Sequence, residues 1–467
     1  MVIRKVNKRA LVERPLKTSQ PTGATLAMLG LANSIPLMHG SQGCAAFAKV
    51  YLIQHFREPV PLQNTAIDQV AAVMGGDDNL LSAIALLCDK HHPDLIAVMT
   101  TGLTEMQGAD IERIAKQFSQ QYPQHSTTRV VTINTPDFTG SMQTGYAAAV
   151  DALIRQTTRQ ATRPTVSQST RAYSNHSLQL NVLASSALTP ADVDLLQRYI
   201  DAFDIDAIMV PDLSQSLDGH LDGDDFSATS AGGTAIEDIE RMATSAATIV
   251  IGESLQATGK WLQQHHQVPC HFVGNVMGLA ETDGLVQLLT QLSGKPVPNW
   301  INRSRQRLQD AMLDCHFVLS QAAVAIAAET DLAAGYQTLL AEQGMAIKRI
   351  VTATGSATAE HWQTDDWVVG DLSDIEQVLG EVEVVVGNSH CAALCEPQVP
   401  VLRAGYPCHD KYGSSDTLQL GYEGSRAVLF ALANCLYKHH HDEVTPHYSK
   451  YRFEAADTLS TVARGAE

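Results

Sequence analysis

The chain has 467 residues, 45% hydrophobic and 18% charged, a composition that can bury a sizeable core in two to four domains of about 100–200 residues each. Its 32 Lys and Arg are outnumbered by 50 Asp and Glu, for a formal charge of -18. With no local basic stripe this argues against a nucleic-acid partner. No run of about 18 apolar residues could span a membrane.

The basic start from Met1 to Lys8 is interrupted by Lys17, Ser19 and Gln20 without an apolar signal core, so a cytoplasmic location is expected. The first informative segment is Pro36-Leu-Met-His-Gly-Ser-Gln-Gly-Cys44, in which a short apolar strand runs into a glycine-rich loop. Cys44 then opens a helix over 45–55. Helical patterns at 79–90 and 109–121 alternate with buried strands at 94–99 and 129–133, which argues for α/β layers on parallel sheets. Residues 159–177 turn to Arg, Thr, Ser and Gln and read as a linker.

A second unit follows, with strands at 178–184, 207–210, 248–251 and 271–273. Its helix start at Thr189-Pro190-Ala191-Asp192 combines a capping hydroxyl, proline in the first turn and an acid. Gly-Lys-Pro-Val-Pro at 294–298 punctuates the chain again. Beyond it come a long helix over 300–319 and strands at 323–327, 349–352, 382–386 and 399–402. A C-terminal helix from about Ser425 is expected to pack back on an earlier unit. Three Rossmann-like units with mostly parallel sheets account for this order, divided at 1–165, 166–295 and 296–467.

Eight cysteines in such a chain are expected to be reduced. In open α/β sheets ligands gather at the carboxyl ends of strands, where Cys44 lies. Gly40 and Gly43 carry no side chain, so the backbone of Gly40, Ser41, Gln42 and Gly43 could approach a bulky cluster. A helix N-terminus also suits an anionic sulfur. A buried structural cysteine on a tight turn fits the same residues. A cubane cluster normally takes four cysteine thiolates, and no other cysteine falls in the strand-end loops of the first unit. If Cys44 is a ligand, the others come from a second polypeptide. Cys88, Cys270, Cys315 and Cys435 lie within helix or strand patterns and read as core. Cys391 and Cys395 share a helix face beside His390, where a structural role is favoured over metal binding, and His439, His440 and His441 read as a solvated helix end. Gly259-Lys260 lacks the spacing of a phosphate loop, and Thr354-Gly355-Ser356 is a common turn composition. No catalytic residue is nominated.

At His39-Gly-Ser-Gln-Gly-Cys44 and His55-Phe-Arg-Glu-Pro-Val60 the sequence resembles the nitrogenase component 1 family, in particular its molybdenum–iron β-subunit and that subunit's cofactor-assembly homologue. The likeness continues at Met99-Thr-Thr101 with Glu105, Asn134-Thr-Pro136 with Gly140-Ser141, Pro211-Asp-Leu-Ser214, Gly387-Asn-Ser389, Arg403 to Pro407, and Gly421 to Gly424, covering essentially the whole chain. It implies the three-unit fold of nitrogenase component 1. The catalytic β-subunit places further cluster cysteines where this chain has Leu62 and Gly102, so an eight-iron cluster lacks its usual ligands and the assembly branch is favoured. Ser141 stands where the family has a serine near that cluster, but a helix cap is the simpler role.

That branch implies a scaffold on which the iron–molybdenum cofactor is finished. Cys44 would give one ligand, and the homologous subunit NifE three, to a shared [4Fe-4S] cluster in an α2β2 heterotetramer. The partner would hold most of the transient cofactor precursor, with NifB as precursor donor and the nitrogenase Fe protein as reductant and metal donor. A nitrogenase β-subunit, or a related oxidoreductase half-enzyme such as light-independent protochlorophyllide reductase, is the alternative.

Overall fold

Residues 4–6, 12, 14–158, 178–221, 227–396 and 398–442 are described by the computed structural model, and the linker expected at 159–177 lies outside them. Among these residues fourteen strands form three sheets, and every pairing is parallel. The first strand, β1 (Arg4–Val6), stands apart from those that follow it in the chain. The first sheet contains β2 (Ser34–His39), β3 (Gln63–Asn64), β4 (Leu95–Thr100) and β5 (Arg129–Ile133), in the order β3-β2-β4-β5. The second contains β6 (Leu178–Leu183), β7 (Ile205–Val210), β8 (Ala247–Val250) and β9 (Cys270–Phe272), in the order β7-β6-β8-β9. The third adds β10 (Ala323–Ala328), β11 (Ala346–Thr352), β12 (Trp367–Val369), β13 (Val384–Gly387) and β14 (Val401–Arg403), in the order β1-β12-β11-β10-β13-β14.

The sequence dictates parallel pairing because helical segments separate the strands, and the central strands are apolar on both faces. All six residues of β2 and of β4 are buried, as a sheet covered by helices on each side requires. In each sheet one strand is flanked on both sides by strands that follow it in the chain, so the connections run first to one side of it and then to the other: β2, β6 and β10. Such reversals open a crevice beyond the carboxyl ends of the strands. The crevice after β2 holds Cys44, whereas the loops after β6, β10 and β13 meet at a second place, at Ser186, Glu329 and Asn388.

Local chemistry sets the elements that frame these crevices. Thr189 accepts a hydrogen bond from the Asp192 amide, and the Asp192 carboxylate accepts one from the Thr189 amide, so the expected helix start is a reciprocal capping box. Asp192 also accepts from the amides of Gln419 and Leu420 at 2.7 and 2.9 Å, tying the second unit to the segment before the last helix. That helix (Gly421–Asp442) begins earlier than Ser425 and packs on the helix Asn299–Leu319, with Tyr199 of the second unit against Gly421. The histidine triplet expected as a solvated end lies in its last turn, where side chains are outside the described set.

Three strands escape a periodicity argument. β1 pairs with β12, Arg4 opposite Trp367, so the start of the chain completes the third sheet and not the first. β1, β3 and β12 are two or three residues long, too short for an alternating or continuous apolar pattern to register.

Candidate functional site: a cysteine cleft at the first sheet

β2 ends at His39, and the helix Gln42–Phe56 starts three residues later behind Ser41. Ser41 has the extended backbone of an N-cap but makes no side-chain cap. Its hydroxyl instead lies 3.6 Å from the Cys44 thiol. The thiol is half-buried and opens on a cleft of about 270 Å³ lined by Ser19, Pro21, Met38, Gly43, Cys44, Phe47 and Asp137.

Two helix N-termini converge there. Ser19 and Pro21 belong to the start of the wholly buried helix Gln20–Leu29, which crosses the helix Met142–Thr158 in very close contact. A Cβ on Gly23 would lie 1.8 Å from the Met142 carbonyl oxygen, and one on Gly145 would lie 2.0 Å from that of Gln20. Only glycine lets the backbones approach this far. With the N-terminus of Gln42–Phe56, this start gives the cleft the partial positive charge that suits an anionic cluster. Sequence reasoning missed Ser19 and Pro21, although a serine two residues before a proline is a helix-start signal.

The glycine-rich loop divides its labour. Gly40 turns its amide inward to donate to the Thr65 hydroxyl at 3.1 Å, and a Cβ on it would meet Thr101 at 2.6 Å. Its lack of a side chain therefore serves packing between the loops after β2 and β4. Gly43 faces open space at the cleft and Gln42 is exposed. The same Thr65 hydroxyl meets His39 Nδ1 at 3.0 Å, and the hydroxyls of Thr101 and Thr104 donate to the His39 carbonyl. Burial lowers the His39 imidazole to a pKa of about 4, which Asp77 partly opposes.

Leu62 is fully buried in the core beside Phe56 and Val60. The Gly102 amide donates to Asp137 Oδ2 at 3.0 Å at the start of the helix Gly102–Gln107. The loop bearing Asp137 is pinned to β4 by Thr135, whose hydroxyl donates to the Thr100 carbonyl at 2.6 Å. Ser141 stands at the N-cap of the helix Met142–Thr158, its carbonyl accepting the Gly145 amide at 3.0 Å, while its hydroxyl donates to Glu329 Oε2 at 2.8 Å in the third unit.

The other thiols lie elsewhere. Cys88 and Cys315 are buried in the core. Cys391 and Cys395 are buried with their sulfurs 3.8 Å apart, and Cys270 and Cys435 are half-buried. Among the described residues no group of three or more His, Cys, Asp or Glu side chains could hold a metal ion. No described helix is long and apolar enough to cross a membrane.

Large apolar side chains are exposed on the first unit, and one of them, Phe47, lines the cleft. Phe47 and Val50 stand outward on the helix of Cys44, and Phe138 adjoins Asp137. Val70, Val73 and Met74 on the helix Gln69–Met74, together with Met106, are all more than two-thirds exposed. Gln107 holds that helix to its own by donating to the Ala71 carbonyl at 3.1 Å.

Residues 19–437 match the family described as nitrogenase component 1 type oxidoreductase. The chain is 40% identical to the nitrogenase iron-molybdenum cofactor biosynthesis protein NifN of Klebsiella pneumoniae, over 97% of each chain. It is 38% identical to NifN of Rhodobacter capsulatus, over 93% of each. A solved structure of nitrogenase Cp1 at pH 6.5 superposes with a TM-score of 0.86 at 29% identity, covering 94% of this chain and 96% of that one.

Proposed function

The chain belongs to the nitrogenase component 1 type oxidoreductase family, and from that premise we propose that it serves iron–molybdenum cofactor biosynthesis as one half of a two-subunit scaffold. The partner in this reading is a homologous subunit of the NifE type, joined in an α2β2 assembly, with a [4Fe-4S] cluster shared through Cys44. The nitrogenase Fe protein and a NifB-type precursor donor visit transiently, and the precursor rests mainly on the partner. A cytoplasmic location accompanies this role.

One observation carries the reading. Cys44 presents a half-buried thiol to an open cleft, while the two positions that carry further cluster cysteines in the catalytic β-subunit are filled by the core side chain of Leu62 and by Gly102. One thiol at the junction of two helix N-termini fits one corner of a cubane and does not fit an eight-iron cluster held by this chain alone. The cluster would supply one-electron transfer at the subunit boundary. This chain's part is to present the Cys44 sulfur, to hold its loop through Thr65 and Thr101, and to exclude water with Phe47 and Phe138 once the partner is seated. The exposed apolar side chains of the first unit support an obligate interface there, of the kind that commonly buries more than about 2,000 Å².

Anaerobic reconstitution with iron and sulfide tests the proposal. The isolated chain should bind little cubane, whereas the chain co-purified with its partner should carry a stoichiometric one. A stable [4Fe-4S] cluster on the isolated chain would rule out the shared-ligand arrangement.

A further inference from the structure

The seam where the second and third crevices meet is built on acids. Glu329 follows β10, and Asp331 lies in the first turn of the helix Thr330–Glu342. Glu329 lines a cavity of about 30 Å³ with Tyr51, Gln143, Asn388 and Tyr406. From the first unit, Ser141 Oγ donates to Glu329 Oε2 at 2.8 Å, and the amide of Gln143 donates to the same carboxylate. The Gln143 side chain reaches Thr330 Oγ1 at 2.5 Å and accepts from the Asp331 amide at 2.9 Å. From the second unit, the amides of Glu253 and Ser254 donate to Asp331 Oδ1 at 3.0 and 3.2 Å. Glu253 in turn accepts from the Ala357 amide and the Thr358 hydroxyl of the third unit, both at 2.7 Å.

Three carboxyl groups thus join three units through hydrogen bonds alone. Among the described residues neither Glu329 nor Asp331 forms an ion pair, and the cation whose field reaches Glu329 is the exposed Lys17. We propose that this seam is a proton-dependent latch: with a proton on Glu329 the loop at 139–143 stays docked on the start of the helix Thr330–Glu342, and loss of the proton loosens it.

The groups facing Glu329 set the direction. Burial pushes its carboxyl up to about 7, and the charge of Asp331 adds to this. The Ser141 hydroxyl, the Gln143 amide and Lys17 pull the other way. Tyr51, across the cavity on the helix of Cys44, stays neutral because burial raises its phenol. Asp331 is pushed up to about 6 by burial, opposed first by Ser254, with Glu253 raising it and the Glu253 amide lowering it. The docked seam therefore holds a proton more tightly than an open one. Docking is strongest below the ordinary carboxylate range, weakens as pH rises, and levels off above about 7.

Hydrogen–deuterium exchange on the full-length chain reads the latch independently of any cluster. Protection of the amides at 141–145 and 331–334, divided by the intrinsic exchange rate, should fall about tenfold between pH 6 and 8, mostly below about 7. Amides in the helix Leu279–Ser293 serve as the control for global opening. Glu329→Gln should flatten the profile, whereas Asp331→Asn should retain most of it. Ser141→Ala should move the midpoint to higher pH, because the carboxylate loses a donor. A flat wild-type profile, an unchanged slope in Glu329→Gln, or an unmoved midpoint in Ser141→Ala overturns the latch.

Discussion

Asp137 Oδ2 accepts the Gly102 amide at 3.0 Å, and a Cβ placed on Gly102 would lie 3.3 Å from the Asp137 Cβ. A carboxylate thus stands beside Gly102 and holds the start of the helix Gly102–Gln107. Asp137→Ala should release that amide and destabilise the chain by about 1–2 kcal/mol. Asp137→Asn keeps an oxygen acceptor and should lose less than half as much. Urea midpoints at constant slope would measure both, and equal losses would mean that the hydrogen bond is not what matters.

His55 gives a stability prediction with a definite sign. Its Nδ1 accepts the Cys408 amide at 2.9 Å, and its ring packs between Phe56 and Tyr406. Burial, with the charge of Lys411 behind it, lowers the imidazole to about 3 from its usual 6.5. Between those values the unfolded chain binds a proton that the folded chain refuses, so this contribution is whole above about 6.5 and declines as pH falls toward 3. His55→Asn should be less stable at pH 7.5 yet lose less on acidification to pH 5. Chemical denaturation at the two pH values gives the comparison, and parallel losses would place the titration elsewhere.

Much of this arrangement is legible in the sequence. The motif from His39 to Cys44 announces strand, loop and helix because apolar residues, two glycines and a helical segment follow in that order, and β2 and the helix Gln42–Phe56 realise it. What Gly40 does was not legible, since its close neighbour Thr101 is remote in sequence and only the pairing of β2 with β4 brings them together. The same holds for Ser141, whose acceptor Glu329 follows a strand of another sheet. Local chemistry identifies caps, turns and buried strands, whereas contacts between units depend on how the three sheets meet.

The exposed apolar side chains of the first unit should matter to association and not to folding. Val73 is 84% exposed, so Val73→Asp should change the stability of the isolated chain by no more than about 0.5 kcal/mol. Within a buried interface the same charge is desolvated without a partner, and affinity for the homologous subunit should fall about 10- to 100-fold. Sedimentation of the mixed subunits at micromolar concentration measures it. Undiminished association would move the interface away from the helix Gln69–Met74.

Cys44→Ala separates ligand from structural cysteine. As a packing residue the thiol is half-buried, so its loss should cost about 1 kcal/mol or less and leave iron untouched. As a ligand it bonds iron directly, and a methyl group cannot replace it. The two-subunit complex should then still assemble, because Phe47, Val50, Val73 and Met74 are unchanged, but its cubane should be lost or destabilised. The electron paramagnetic resonance signal after dithionite reduction should weaken, and cofactor maturation should slow. Cys88→Ala is the control: that thiol is 1% exposed in the core between Leu87 and the strands β2 and β4, so the variant should lose stability and keep the signal. Full cluster signal in both variants would remove Cys44 from the ligand set.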